Sequence, residues 1–196
     1  MAKVKVLIEG YAKETKTGWV ASSTTTLIKD NGLNILVDPG CNRKLLLEKL
    51  NEEKLSTGNI DIVFLTHFHL DHCLLAGIFE NAKVLDGETI YEEDRETGYG
   101  GNIPGTSIKV LKTPGHATEH AALLIETDKG LVAIAADLFL WMQNEEQKTA
   151  DARVLETKDD PFIQDKPALE ESRKKILSHA DWIIPGHGKK FKNPLK

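Results

Sequence analysis

Three observations predict a layered sandwich of strands and helices built as one domain. The chain has 196 residues, a length that suits a single domain and lets it bury roughly 70% of its unfolded surface. Short apolar or alternating runs bounded by Gly, Pro, Asn and Asp recur along it, as strands do. Each strand-rich half closes on a helical pattern, and no linker, low-complexity tract or short-period repeat divides residues 1–196.

The elements follow in order. Lys3-Val4-Lys5-Val6 alternates and predicts a strand within Met1–Glu9 with one buried face. Ser23–Lys29 and Leu33–Val37 read as two strands joined by the Asp30-Asn31-Gly32 turn. After the Asp38-Pro39-Gly40 stop, Asn42 caps a helix through Leu50 that buries Leu45, Leu46 and Leu50. Asp61–Thr66 is a short buried strand, followed by a helix over Leu74–Phe79 and a strand over Ala82–Leu85. Gly87–Gly105 reads as mostly loop with one short strand at Thr89–Tyr91. Ile108–Leu111, Ala121–Glu126 and Leu131–Ala135 are three more strands, the last two joined at Asp128-Lys129-Gly130. Trp141–Asp165 is charged and irregular with part-helix as an alternative, Pro167–His179 is a helix opened by its proline, and Asp181–Ile184 is a final strand.

Composition narrows the function classes. With 25 Lys and Arg against 30 Asp and Glu, the net charge of −5 lacks the positive field of a general nucleic-acid binder. No apolar run approaches the ~20 residues of a membrane span, and no signal-peptide core follows the N-terminal lysines. Cys41 and Cys73 are too few for a disulfide scaffold, so a reducing cytoplasm is the expected compartment. Self-association into a homo-oligomer is left open.

The chemistry concentrates in Thr66-His67-Phe68-His69-Leu70-Asp71-His72, directly after an apolar strand. Alternate residues of a strand face one side, so His67 and His69 can serve one point while Asp71 and His72 serve another close by. Divalent ions want such imidazole nitrogens and carboxylate oxygens held by rigid backbone. His116, Asp137 and His187 stand at the same kind of place, each at the end of an apolar strand. Gly115 and Gly186 beside the two histidines allow sharp turns and close approach. The expected sites are His67, His69 and His116 for one ion and Asp71, His72 and His187 for the other, with Asp137 bridging. Two ions about 3.5–4 Å apart would hold a water or hydroxide between them. Asp71 is the expected catalytic residue, as ligand and as hydrogen-bond acceptor orienting the nucleophile; no Gly-x-Ser-x-Gly elbow is present.

The run His67-x-His69-x-Asp71-His72 followed by His116, Asp137 and His187 resembles the metallo-β-lactamase-fold hydrolase superfamily, over residues from about 38 to 188. The resemblance implies a four-layer αββα sandwich with a dinuclear site on its rim. The cofactor it implies is two divalent cations, zinc first, with iron or manganese as alternatives. It makes Asp38 a supporting carboxylate that orients a ligand histidine or its backbone. Val6-Leu7-Ile8-Glu9-Gly10, Asp159-Asp160-Pro161 and Ser172–Leu177 are similar to a minimal animal subgroup associated with nucleolytic activity. Two positions depart from common superfamily patterns: Leu70, where a small or polar residue is frequent, and Ala136, where Gly is usual.

The expected reaction is metal-assisted hydrolysis of an ester, thioester, lactone or phosphodiester, with a small molecule or a phosphodiester as substrate. The chain after His187 is too short for the helical tail of a glyoxalase II, and the gap from Asp137 to His187 too short for an inserted cap domain. His120 is a candidate substrate contact, and Cys41 and Cys73 lie near the ligands. Gly87–Gly105 and Leu138–Asp165, with Phe139, Trp141 and Met142, are candidate pocket walls. Lys189, Lys190, Lys192 and Lys196 would favour an anion if they rim the site. The alternatives are a mononuclear iron persulfide dioxygenase and a non-catalytic metal-binding module.

Overall fold

In the computed structural model, which describes residues 1–196, two sheets pack face to face and carry helices on their outer sides. The alternation at the N-terminus forms β1 (Lys3–Ile8); a separate hairpin of β2 (Tyr11–Thr15) and β3 (Gly18–Ser22) follows, then β4 (Thr25–Asp30) and β5 (Leu33–Val37). Asn31 and Gly32 both take positive φ (47° and 83°), the geometry a tight β4–β5 turn needs. Asn42 caps α1 (Arg43–Glu52), its side chain accepting from Leu45 N. Next come β6 (Ile62–Phe64), α2 (Leu70–Cys73), β7 (Lys83–Leu85), β8 (Thr89–Glu92) and β9 (Arg95–Gly98). These complete a seven-stranded sheet in the order β1-β4-β5-β6-β7-β8-β9.

The second sheet, in sequential order, holds β10 (Lys109–Lys112), β11 (Ala121–Thr127), β12 (Gly130–Leu140), β13 (Trp182–His187) and β14 (Phe191–Lys192). Between β12 and β13 the chain forms α3 (Ala152–Glu156) and α4 (Lys166–His179), the latter capped by Asp165 with its proline in the first turn. β6 runs parallel to β5 and β7, and β12 runs parallel to β13. Their carboxyl ends therefore release Asp38, His67, Asp137 and His187 at one rim.

Three apolar clusters show the layering. Ile28, Ile35, Val37 and Phe64 of the first sheet meet Leu123, Ile125, Val132 and Ile134 of the second. Their strand neighbours point the other way: Leu27, Leu36 and Val63 pack on Leu46 and Leu50 of α1. Leu124, Ala133 and Ala135 pack on Leu169, Ile176 and Leu177 of α4. This alternation across both sheets is what an αββα sandwich requires, because each sheet is covered on both faces.

Local expectations failed in four places. The helix expected over Leu74–Phe79 starts earlier, at Leu70–Cys73, and only a 3-10 turn at Ala76–Ile78 follows, where Gly77 is a poor helix former. Gly87–Gly105 holds a β-hairpin rather than one strand, because Tyr91 pairs with Glu96 across a turn at Glu93 (φ 56°). The β2–β3 hairpin and β14 have no strong periodicity to announce them; Trp19 and Val20, for example, are exposed.

Candidate metal centre

The seven expected ligands converge. Ligand atoms of His67, His69, His116 and Asp137 lie within 4.8 Å of one another, as do those of Asp71, His72 and His187. Asp137 joins the two groups. Its Oδ2 is 3.3 Å from His116 Nε2 and 3.8 Å from His67 Nε2, while Oδ1 is 3.3 Å from His72 Nε2 and 3.7 Å from His187 Nε2. Asp71 Oδ2 is 3.2 Å from His187 Nε2 and 3.9 Å from His72 Nε2. One carboxylate thus turns each oxygen toward a different set of nitrogens.

The backbone sets this up at two unusual residues. Ala136 adopts φ 44°, a left-handed conformation, and the β12–β13 register shifts on either side of it. Glycine, usual in the superfamily, adopts that conformation freely; the alanine here holds the same bend next to Asp137. Across from it, a Cβ on Gly186 would stand 1.7 Å from Asp137 Oδ1 and 2.9 Å from Ala136 C, so only glycine lets β13 approach the Asp137 carboxylate.

A buried network fixes which nitrogen faces inward. His72 Nδ1 donates to Asp38 Oδ2 at 2.8 Å. His67 Nδ1 donates to Thr66 Oγ1 at 3.0 Å, and that hydroxyl donates onward to Asp38 Oδ2 at 2.8 Å. Thr66 N also donates to Asp38 Oδ1. One carboxylate thereby holds the Nδ1 side of two rings, directly and through Thr66, and turns both Nε2 atoms toward the centre.

Asp160 does the same for His116, accepting from its Nδ1 at 2.7 Å. The sequence reading missed this role. Asp160 belongs to a charged segment read as irregular, and nothing local shows that this one carboxylate among its neighbours turns inward. Asp160→Asn presents an amide N–H or a weaker acceptor to His116 Nδ1. It is expected to weaken metal affinity about 10–100-fold, measurable by competition with a chromophoric chelator.

The electrostatics test whether cations suit the residues. Burial pushes His67 down, and the neighbouring His72 adds to it, so that imidazole is held well below its usual range. Burial also lowers His69, with His116 next to it. For His72 burial pulls downward, but the charges of Asp137 and Asp38 outweigh it and the ring is held well above its usual value. Burial raises the Asp137 carboxyl, yet His72 and His187 overcome this and keep it well below the ordinary range. Asp71 is lowered too, since the His187 hydrogen bond and the His72 charge outweigh burial.

His67 Nε2, His72 Nε2 and Asp137 Oδ1 are buried with no hydrogen-bond partner. His116 Nε2 and His69 Nδ1 are 3.0 Å apart, a distance two lone pairs tolerate only with a proton or cation serving both. Four carboxylates, Asp38, Asp71, Asp137 and Asp160, touch these imidazoles. Their charge matches that of two divalent cations, so the residues present fit such a pair.

A cavity of about 610 Å³ opens over the cluster. Its only polar lining residues are His69, Asp71, Asp137 and His187. The remaining lining comes from the β2–β3 hairpin (Ala12, Trp19, Ala21), from Leu70 and Leu74, and from Leu140, Met142 and Phe162, with Cys41. Leu138–Asp165 therefore supplies a wall, though through Leu140, Met142 and Phe162; Phe139 and Trp141 are buried in the core. Gly87–Gly105 supplies none. Its Tyr91 and Tyr99 hydroxyls bond to Asp86 instead, as partners for buried polar groups.

His120, the expected candidate for a substrate contact, does not line this cavity. His120 is fully buried with its ring 5.2 Å from that of His67, bonds Thr113 Oγ1 through Nδ1, and lines a separate cavity of about 120 Å³. Burial, with His116 adding to it, lowers its pKa to about 3, so it is neutral. Cys73 stands outside both ligand groups, donating to Phe68 O, and the Cys41 thiol donates to Ala21 O at the cavity wall. None of the C-terminal lysines lines the cavity; Lys190 Nζ instead sits 5.0 Å over the Trp182 ring. No helix is long and apolar enough to cross a membrane.

Comparison with known proteins agrees with this geometry. The family model described as Metallo-beta-lactamase superfamily matches residues 18–114. The Xenopus laevis Metallo-beta-lactamase domain-containing protein 1, from the animal subgroup whose motifs the chain shares, is 32% identical over 96% of this chain and 81% of its own. A Thermotoga maritima protein described as a metallo-beta-lactamase superposes with a TM-score of 0.74 at 20% identity, covering 97% of this chain and 99% of that one. TTHA1623, solved in a di-iron-bound form, superposes with a TM-score of 0.61 at 19% identity over 93% of this chain and 94% of its own. With its αββα layers, its clustered histidines and aspartates and these relatives, the chain belongs to the metallo-β-lactamase superfamily of metal-dependent hydrolases.

Proposed function

We propose that this protein hydrolyses an ester, thioester, lactone or phosphodiester bond with two divalent cations. His67, His69 and His116 hold one cation, Asp71, His72 and His187 the other, and Asp137 is shared. The observation that carries the reading is the division of Asp137, whose two oxygens face two different nitrogen sets. When bound, such a pair polarises the substrate oxygen and lowers the pKa of water toward about 7. Imidazole and carboxylate donors suit zinc, and they also suit iron, the metal bound in the TTHA1623 structure.

The chain's own residues divide the remaining work. Asp71 lines the cavity and keeps about a quarter of its side chain exposed, so its carboxylate is the acceptor that orients the attacking water at the open side. Asp38, Thr66 and Asp160 hold three imidazoles in the tautomer that presents Nε2 inward. Leu70 and Leu74 limit the water around the reacting bond.

Metal removal tests this reading. Dialysis against a chelator is expected to abolish ester or phosphodiester hydrolysis, and zinc, iron or manganese salts to restore it. Activity that survives complete stripping would overturn the proposal. One iron per chain with oxygen uptake would replace it by the dioxygenase reading, and tight metal binding without turnover by the non-catalytic one.

A further inference from the structure

We infer that the substrate of this site is an uncharged acyl compound with an apolar chain or ring of about six to ten heavy atoms, and not a nucleic-acid phosphodiester. This rests on the hydrolase reading above and names its substrate class. The first observation is the chemistry of the cavity lining. All four polar residues on it belong to the metal-ligand cluster, and neither Lys nor Arg is among the rest. Whatever part of a substrate extends beyond the reacting bond therefore meets only apolar side chains and a thiol. A polynucleotide carries a charge on every neighbouring phosphate, and recognition of such a chain uses Lys, Arg and stacked aromatics along its path. The four C-terminal lysines that could have served lie elsewhere.

The second observation is the exposed apolar surface at the mouth. Trp19 and Phe162, from segments far apart in the chain, meet edge to face with ring centroids 5.7 Å apart at 72°. Both remain about half exposed, and Leu70 and Leu74 of the same lining are more exposed still. Large apolar side chains left open around a cavity gain most when an apolar ligand covers them. Leu70, which departs from the superfamily's frequent small or polar residue, is one of the four. The cavity volume of about 610 Å³ falls within the range of small-molecule sites and leaves room for the chain beside the reacting carbonyl. In the reaction, water adds across the acyl C–O or C–S bond; the acyl carbon takes the hydroxyl, and the leaving alcohol or thiol takes the proton. No redox partner is involved.

The test pairs turnover with a binding measurement that does not need turnover. The metal-loaded enzyme is assayed on 4-nitrophenyl acetate, 4-nitrophenyl hexanoate and bis(4-nitrophenyl) phosphate. Calorimetry compares the binding of hexananilide and acetanilide, whose amide bonds stand in for the ester. A kcat/KM about tenfold or more higher for hexanoate than for acetate is expected, with a similar preference for hexananilide. Trp19→Ala and Phe162→Ala are each expected to shrink both preferences several-fold, mainly through KM, and Trp19→Phe to restore most of them. Equal binding of the two anilides, a phosphodiester turned over better than both esters, or a hexanoate preference untouched by both substitutions would overturn the inference. Selective hexananilide binding without metal-dependent turnover would instead leave the apolar site standing and remove the hydrolase reading.

Discussion

Asp71→Ala is expected to lower turnover about 10²–10⁴-fold, the range for removing a positioned acid or base, while the fold persists. The side chain sits on the short α2 at the cavity, and its contacts in the cluster are to His187 Nε2 and His72 Nε2. It is the most exposed carboxylate of the four, and it pairs with the single donor His187 Nε2, whereas Asp38 serves both Thr66 and His72. Its loss should therefore change the stability of the metal-free protein by no more than about 1 kcal/mol, the worth of one ordinary hydrogen bond. The check is kcat on an ester substrate together with urea unfolding of the stripped variant. Unchanged kcat would remove Asp71 from the reaction.

Gly186→Ala acts on the same centre through sterics alone. The added methyl would fall 1.7 Å from Asp137 Oδ1, far inside any van der Waals contact, with the Ala136 backbone 2.9 Å away. Two responses are available: the Asp137 carboxylate rotates away from the imidazoles it faces, or β13 moves off β12. The second breaks a parallel pairing that also carries His187, and overpacking of this kind costs about 1–3 kcal/mol. The first leaves packing nearly intact but removes the shared ligand. Either way a displacement on the order of 1 Å at the reacting centre is expected to cut turnover at least about 100-fold. A variant with native metal content and native kcat would show that Asp137 does not need the space that Gly186 leaves.

The sequence reading reached the metal centre because each ligand follows an apolar strand, so the pattern of strand and imidazole survives without any knowledge of contacts. Asp137 ends a run with no polar side chain. His67 and His69, expected to alternate along a strand end, instead lie in the turn between β6, which stops at Phe64, and α2, which His69 caps, so the turn and not strand alternation brings them together. Asp38 was legible only through the superfamily resemblance, because Asp38-Pro39-Gly40 by itself reads as a turn. Asp160 was not, because its importance comes from a 2.7 Å contact to a histidine 44 residues earlier, and its segment has no periodicity. The cavity wall was hidden in another way. The β2–β3 hairpin pairs only with itself, so its residues are half wet and lack the alternation of a buried strand, yet Trp19 from it covers the mouth. His120 shows the converse: a histidine four residues from a ligand suggested a substrate contact, and the fold places it beside His67 on a separate, smaller cavity.

The most direct measurement is elemental analysis of wild-type and Asp71→Ala protein purified without chelator, expressed as ions per chain. Two donor groups sharing Asp137 should give two ions in the wild type, and loss of Asp71, which serves only one group, should leave one. A wild type holding one ion or none after exposure to excess zinc, or a variant that keeps both, would contradict the paired centre.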